Sequence, residues 1–326
     1  MTSGTKSRKK VVIEDYIEKP LIKWVGGKSQ IIEDVMTQFP HQINNYHEPF
    51  VGGGSVLLSL LSHAKSGYIS IDGLINAYDS NQRLINFYRN IQYRAEEFIP
   101  AMKAMILEFK NCPDAVKTEN SAPVNRNPLN AQEAKTCKES YYYWCRGLYN
   151  KLYDDDSSVY CSVLFLFLNK TCFRGVYRVG PNGFNVPYGN NKNPSIMDED
   201  HVRRVSELFK FVNFIHADFR SSVPILNSHP GDFVYLDPPY APEKSKSFVG
   251  YTSEGFNLED HKKLFDLCSQ LKRLQVNFLL SNADVDLVRE AFPTNEYLVV
   301  QVTCKRSINS KNPSAKTEEV LIQPLR

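Results

Sequence analysis

The sequence predicts an α/β fold whose sheet-forming domain is interrupted by an insertion. Three observations carry this. Strand-like and helix-like pieces alternate from Pro20 to about residue 95, the alternation is lost between roughly Glu96 and Asn213, and it returns towards the C-terminus. Taking the pieces in order, "LIKWV" from Leu21 reads as a short extended piece. "KSQIIEDVMTQFP" has apolar residues at helical spacing and stops at Pro40. "NNYHEPFVGGGSVLLSLL" is strand, glycine turn and helix, and the next helix begins near Asn81. The middle region holds a loop, "SAPVNRNPLNAQ", an aromatic segment, "SYYYWCRGLYNKLY", and a charged helix, "DEDHVRRVSELFKF". Strand–helix rhythm resumes with "VNFIHADF", "GDFVYLDPPY", "NLEDHKKLFDLCSQLKR", "VNFLLSNAD" and "YLVVQVTCKR".

Bulk properties bound the function. At 326 residues the chain can form one large domain or two unequal ones. Its 42% hydrophobic and 23% charged content is that of a soluble globular protein. A net charge of +3 is only a weak hint of an anionic partner. Lys6, Arg8, Lys9 and Lys10 make a basic N-terminal tail, read either as a solvated flexible terminus or as an accessory nucleic-acid contact. The seven cysteines include no Cys-x-x-Cys, so metal-ligand spacing is absent and free thiols in a reducing compartment are expected. No apolar signal-peptide core is present, and the longest apolar run, "VLFLFL", is too short to span a bilayer. An intracellular soluble protein is expected.

Gly-Gly-Lys-Ser at Gly26–Ser29 raises the question of a nucleoside triphosphate. A phosphate loop needs another glycine five positions before the Gly-Lys pair, and that position is Ile22. "EPFVGGGS" from Glu48 carries Phe50, Gly52 and Gly54 in a strand–turn–helix context that lets backbone approach a ligand. Asp79 follows where such folds place an acid against ribose hydroxyls, although a helix N-cap explains it equally well. The sharpest signal is Asp237-Pro238-Pro239-Tyr240 after the apolar strand "FVYL". Two prolines end the ladder, fix the backbone and remove two N–H donors. What remains is a rigid turn of acceptors followed by an aromatic face. Such a turn suits an amino group on a flat ring.

Taken together, these segments resemble the Dam-type, alpha-class DNA adenine N6-methyltransferases, of the kind found in type II restriction–modification systems. The resemblance runs from Pro20 to the end and keeps the family's motif order: "KWVGGK" from Lys23, "EPFVGGGS", an insertion, "DPPY", then "LLSNAD" and "KRSINS". It implies a Rossmann-like class I methyltransferase sheet with an inserted, mostly helical target-recognition domain carrying a β-hairpin. The implied division is a basic tail at 1–18, a catalytic domain at 19–95 and 213–326, and a target-recognition domain at 96–212. S-adenosylmethionine is the implied donor, held by Trp24, Lys28, Phe50, Gly52, Gly54, Asp79 and Asp218, with no metal. Asp237 and the Pro238 carbonyl would accept the amine hydrogens of a flipped-out adenine, with Tyr240 stacking on its ring and the tyrosine hydroxyl given no role.

DNA reading is implied for "NKTCFRGVYRVGPNGFNVPYG", where Phe173 matches a wedging aromatic and Arg178 a guanine-reading arginine. Arg174 departs from the short polar residue of GATC-directed members, which favours CATG over GATC. Lys170, Lys192, Arg203, Arg204, Arg306 and Lys311 are candidate phosphate contacts. The segment "KSKSFVGYTSEGF" reads as a loop closing over the base or as an ordinary surface loop. The implied partner is double-stranded DNA, bound by a monomer or weak dimer, with a cognate restriction endonuclease acting on the same site, in a bacterial or virus-encoded setting. Cytosine N4, RNA or protein amide methylation and a non-catalytic DNA-binding relative are the alternatives.

Overall fold

The computed structural model describes residues 17–115, 123–152, 155–220, 228–241, 256–305 and 316–325. Residues 1–16 of the tail, Arg306, Lys311 and "KSKSFVGYTSEG" before Phe256 lie outside the described residues. The chain runs through α1 (Ile32–Met36), β1 (Gln42–Ile43), β2 (Tyr46–Glu48), α2 (Ser55–Lys65), β3 (Ser70–Ile71), β4 (Ile75–Asp79) and α3 (Gln82–Asn111). Next come α4 (Ala131–Ala134), α5 (Lys138–Lys151), α6 (Val159–Thr171), β5 (Val179–Gly180), β6 (Gly183–Phe184) and α7 (Glu199–Phe209). The last elements are β7 (Val212–His216), β8 (Phe233–Leu236), α8 (Leu258–Arg273), β9 (Asn277–Ala283), α9 (Asp286–Ala291), β10 (Tyr297–Lys305) and β11 (Lys316–Pro324).

Seven strands form the central sheet in the order β10-β11-β9-β8-β2-β4-β7. The five strands from β9 to β7 are parallel, whereas β11 runs antiparallel between β9 and β10. This is the expected α/β, Rossmann-like methyltransferase architecture. From β2 the chain steps outward to β4 and β7, then returns to the other side of β2 with β8. That reversal makes the switch point, where an open α/β sheet leaves a crevice at its carboxyl edge.

Alternation along the strands explains the two-sided core. Phe233 and Tyr235 of β8, Leu279 of β9 and Leu321 of β11 belong to one apolar cluster. Val234, Leu236, Phe278, Leu280, Val320 and Ile322 belong to the other. β8 is buried at all four positions, as a central parallel strand covered on both faces requires. The larger cluster runs on into α3, α5 and α6 through Phe87, Phe98, Phe109, Tyr141 and Phe165. At its centre lies α6, the helix containing "VLFLFL", buried around its whole circumference. α3 spans the residue 95–96 boundary as one element, with non-helical geometry at Arg94 and Pro100 further on lacking an amide donor.

One expectation changes here. "LIKWV" pairs with no strand among the described residues; the side chain of Asn169, at the end of α6, takes the place of one. Its Oδ1 accepts from the Lys23 N–H at 2.8 Å, and its Nδ2 donates to the Lys23 carbonyl at 2.8 Å. A carboxamide has one donor face and one acceptor face, so it satisfies an extended residue as a strand neighbour would. The short stretch is thereby tied to the insertion.

Candidate active site

The parallel strands deliver several of the chemistry-bearing motifs to one edge. After β2 comes the glycine turn, with Gly52 at φ 46° and Gly54 at φ 74°. Gly53 is required for space, since a Cβ there would lie 2.8 Å from the Trp24 Cβ. Trp24 thus backs the turn. Asp79 holds the turn at its front: Oδ2 accepts from the Gly52 N–H at 3.1 Å and Oδ1 from the Asn81 N–H at 2.9 Å. The helix cap of α3 falls to Asn81, whose side chain accepts from the Leu84 N–H. Asp79 is therefore a turn-shaping acid rather than the helix cap. Burial pushes its carboxyl above the ordinary range, with the two backbone bonds opposing.

The Asp-Pro-Pro-Tyr turn follows β8. Lys28 Nζ lies 2.7 Å from Asp237 Oδ1, donates to the Gly26 carbonyl at 2.7 Å, and stands 4.8 Å from the Tyr240 ring centroid. Lys28 is only 3% exposed, so its charge needs these partners. Its backbone N–H donates to Ser55 Oγ at 3.1 Å, which locks the "GGKS" segment onto the start of α2. The lysine that resembled a phosphate ligand is a carboxylate partner. Burial raises the Asp237 carboxyl, the Lys28 ammonium opposes that, and the nearby Glu319 carboxylate adds to it. Tyr240 Oη donates to Glu319 Oε2 at 2.7 Å, and the Ala241 N–H donates to Asn282 Oδ1 at 3.1 Å.

Beside this turn lies an aromatic corner. Phe50 and Phe219 have ring centroids 5.4 Å apart, and Phe256 stands 5.9 Å from Phe50 and 5.3 Å from Phe219. Asp218 sits next to it but is engaged by Arg220, at 2.6 Å and 2.8 Å to its two oxygens, and Arg220 also reaches Asp260 at 3.1 Å. That bond holds the Asp218 carboxyl below its ordinary range. Glu48, at the end of β2, accepts from Tyr46 Oη at 2.7 Å, and burial pushes its carboxyl up to about 8. Such a group is mostly protonated at neutral pH, so Glu48 adds no full negative charge beside Asp237.

A second group of residues lies on the insertion. β5 and β6 make the short hairpin, preceded by a 3-10 turn at Phe173–Gly175. Phe173 is 49% exposed, and the Arg174 guanidinium stands 5.2 Å from its ring. Arg174 has φ 57°, the left-handed region that asparagine tolerates far better than arginine. Arg178 is exposed at the hairpin and donates through Nε to Asn185 Oδ1 at 2.7 Å. Lys170 is half-buried, and burial together with the neighbouring Lys23 brings its ammonium down to about 8. The hairpin's root meets the turn: the Tyr177 ring stacks on Trp24 at 5.4 Å and 24°.

Two candidate phosphate contacts are engaged in surface ion pairs. Arg203 is taken by Glu96 at 2.9 Å and Glu199 at 2.6 Å, and Arg204 by Glu18 at 2.5 Å. Their guanidinium groups brace α7 against its neighbours. Lys192 is exposed. Motif reading missed Glu319, Asn169, Phe219, Phe256 and Tyr177. Phe219 adjoins Asp218 and Tyr177 adjoins Arg178, so adjacency was their only signal; Glu319 has none. Among the described residues no group of three or more metal-ligating side chains forms, and no helix is long and apolar enough to cross a membrane.

Comparison with known proteins accords with this geometry. A family model described as D12 class N6 adenine-specific DNA methyltransferase matches residues 24–305. The Type II methyltransferase M.MjaIII of Methanocaldococcus jannaschii is 33% identical over 306 residues, covering 91% of this chain and 95% of the relative. The Type II methyltransferase M1.LlaDCHI of Lactococcus lactis is 29% identical, covering 93% and 94%. The DNA adenine methylase of Escherichia coli K12 is 28% identical, again covering 93% and 94%.

Proposed function

The chain belongs to the D12 class of N6 adenine-specific DNA methyltransferases, and from that premise we propose that it transfers a methyl group from S-adenosylmethionine to a flipped-out adenine in a short palindrome. The single observation that carries the reading is the Lys28–Asp237 pair at the carboxyl end of β8, with Tyr240 beside it.

The residues present fit the donor. Gly52 and Gly53 leave no room for side chains on the Trp24 side, so the backbone itself forms the cradle. Phe50 and Phe219 offer apolar faces for a purine, Asp79 stands at the end of β4 for ribose hydroxyls, and Asp218 flanks the aromatic corner. Reaching a purine amine would require Asp218 to share or release Arg220. Bound there, the donor supplies a methyl group on a positively charged sulfur. Asp237 and the Pro238 carbonyl accept the two hydrogens of the adenine amine, drawing its lone pair out of conjugation. Lys28 keeps the Asp237 carboxylate aimed, and Tyr240 presents a ring for stacking. Positioning and a preorganised negative potential supply most of the rate.

We assign 19–95 and 213–326 to catalysis and 96–212 to target recognition, with Phe173, Arg174, Arg178 and Lys170 facing DNA. CATG is favoured and GATC comes next, because Arg174 replaces a short polar residue. To test this, the protein is incubated with mixed-sequence DNA and S-adenosylmethionine, and N6-methyladenine is mapped by direct long-read sequencing. Marks confined to CATG are expected. Marks at GATC would remove the weight placed on Arg174, and methylation of cytosine alone would overturn the reading.

A further inference from the structure

We propose that Glu319 is a positioning residue that sets the plane of the Tyr240 ring against the target base. This rests on the reading of Tyr240 as the stacking face. Tyr240 follows two prolines at the end of a strand, so its backbone is constrained, but its ring can still swing about two side-chain torsions. The structure restrains those torsions from separate elements. At the ring's far end the hydroxyl donates to Glu319 Oε2 at 2.7 Å, a short charge-assisted bond. The Lys28 ammonium stands 4.8 Å from the ring centroid. Just beyond, the Ala241 N–H is held by Asn282 Oδ1 at 3.1 Å, which fixes where the turn leaves the strand.

The sheet's one reversed interior strand explains why a residue so distant in sequence arrives there. Parallel strands reach the active edge with their C-terminal ends, and an antiparallel strand reaches it with its N-terminal half. Glu319 lies in the first half of β11, directly opposite Ala283, the last residue of β9. Asn282 precedes Ala283 and is paired with Val320. The β9–β11 pairing therefore carries both restraints to the same corner. A tyrosine hydroxyl with a dedicated carboxylate acceptor also changes the expectation for Tyr240→Phe. Removing the hydroxyl frees the ring's far end and leaves Glu319 half-buried without its donor, so the change is not mild.

The test compares the unaltered protein with Glu319→Ala, Glu319→Gln, Tyr240→Phe and the Glu319→Ala/Tyr240→Phe double variant. Single-turnover methylation and donor affinity are measured, together with fluorescence of DNA carrying 2-aminopurine at the target position. Glu319→Ala is expected to slow methyl transfer by about 10- to 100-fold, the scale of a small misplacement of a reacting group, with donor affinity unchanged. Glu319→Gln retains an acceptor oxygen and recovers most of the rate. The double variant is no slower than the slower single one, because both remove the same bond. With the ring released, the flipped 2-aminopurine is brighter in Glu319→Ala than in the unaltered protein. Additive losses, an unchanged rate in Glu319→Ala, or equal damage from Gln and Ala would each overturn the proposal. An unaltered protein that leaves DNA adenine unmethylated, or a fully active Tyr240→Ala, would instead overturn the underlying reading of the site.

Discussion

The turn at Asp237 and the hairpin at Phe173 are built on opposite plans. At the turn, Lys28 is buried and shared between the Asp237 carboxylate, a backbone carbonyl and a ring face, while Tyr240 and Ala241 are each held by a different strand. At the hairpin, Phe173 and Arg174 stand exposed on the preceding 3-10 turn and Arg178 just before a pair of two-residue strands. Its inner side is fixed to the core, where buried Phe184 is bonded through both its N–H and its carbonyl to Asn150 and Tyr177 stacks on Trp24. The difference is what the two proposed tasks call for. Methyl transfer requires reacting groups already aimed before substrate arrives, because reorganisation during the reaction raises the barrier. The reading proposed for the hairpin, contact with a duplex, calls for side chains that can leave water and meet base edges.

Three substitutions, from the largest effect to the smallest, sharpen that contrast. Asp237→Ala is expected to lower kcat by about 100- to 1,000-fold or more, the scale of losing a preorganised charge, while donor affinity is nearly unchanged. Calorimetry beside single-turnover assays reads both, and an active Asp237→Ala protein would contradict the amine site. Arg178→Ala is expected to relax discrimination at one guanine by about 1–3 kcal/mol, or roughly 5- to 150-fold, without weakening binding to all sequences alike. Competition binding on single-base variants of the site measures this; a uniform loss would make Arg178 a phosphate contact.

Glu48→Gln probes the buried edge through pH. The carboxyl is raised from 4.5 to about 8. Between those values the unfolded chain releases a proton that the folded protein keeps. Stability therefore falls as pH rises through that window, at up to about 1.4 kcal/mol per pH unit, and stops falling above it. Glutamine keeps an acceptor for Tyr46 but does not ionise. The Tm of Glu48→Gln is expected to exceed that of the parent by a gap that widens from pH 5 to pH 8 and then levels off. A gap constant with pH would show that Glu48 is ionised in the folded protein.

Much of the architecture was legible because its signals are local. Strand–helix alternation marked the sheet, and the Pro-Pro turn after an apolar strand marked the end of β8. The apolar run "VLFLFL" was read as too short to span a bilayer, and it lies in α6, which is buried around its circumference. Local reading failed where one residue type serves two purposes. The ion pairs of Arg203 and Arg204 with Glu96 and Glu18 were not legible, because those partners come from distant positions. Asp79 was open between helix cap and ligand, and the neighbouring Asn81 took the cap. "LIKWV" looked like strand because it is extended and apolar, yet its backbone partner is a side chain.

By itself the sequence determined the fold class and the order of the motifs, and it singled out Asp237 as the carboxylate proposed to meet the amine. Each of these depends on residues close together in the chain. Only the tertiary structure decided who holds that carboxylate and who holds the aromatic beside it. Lys28 lies 209 residues before Asp237, and Glu319 lies 79 residues after Tyr240. Their meeting depends on strand order and on the reversed direction of β11, and pairing across a sheet leaves no trace in the spacing of either partner.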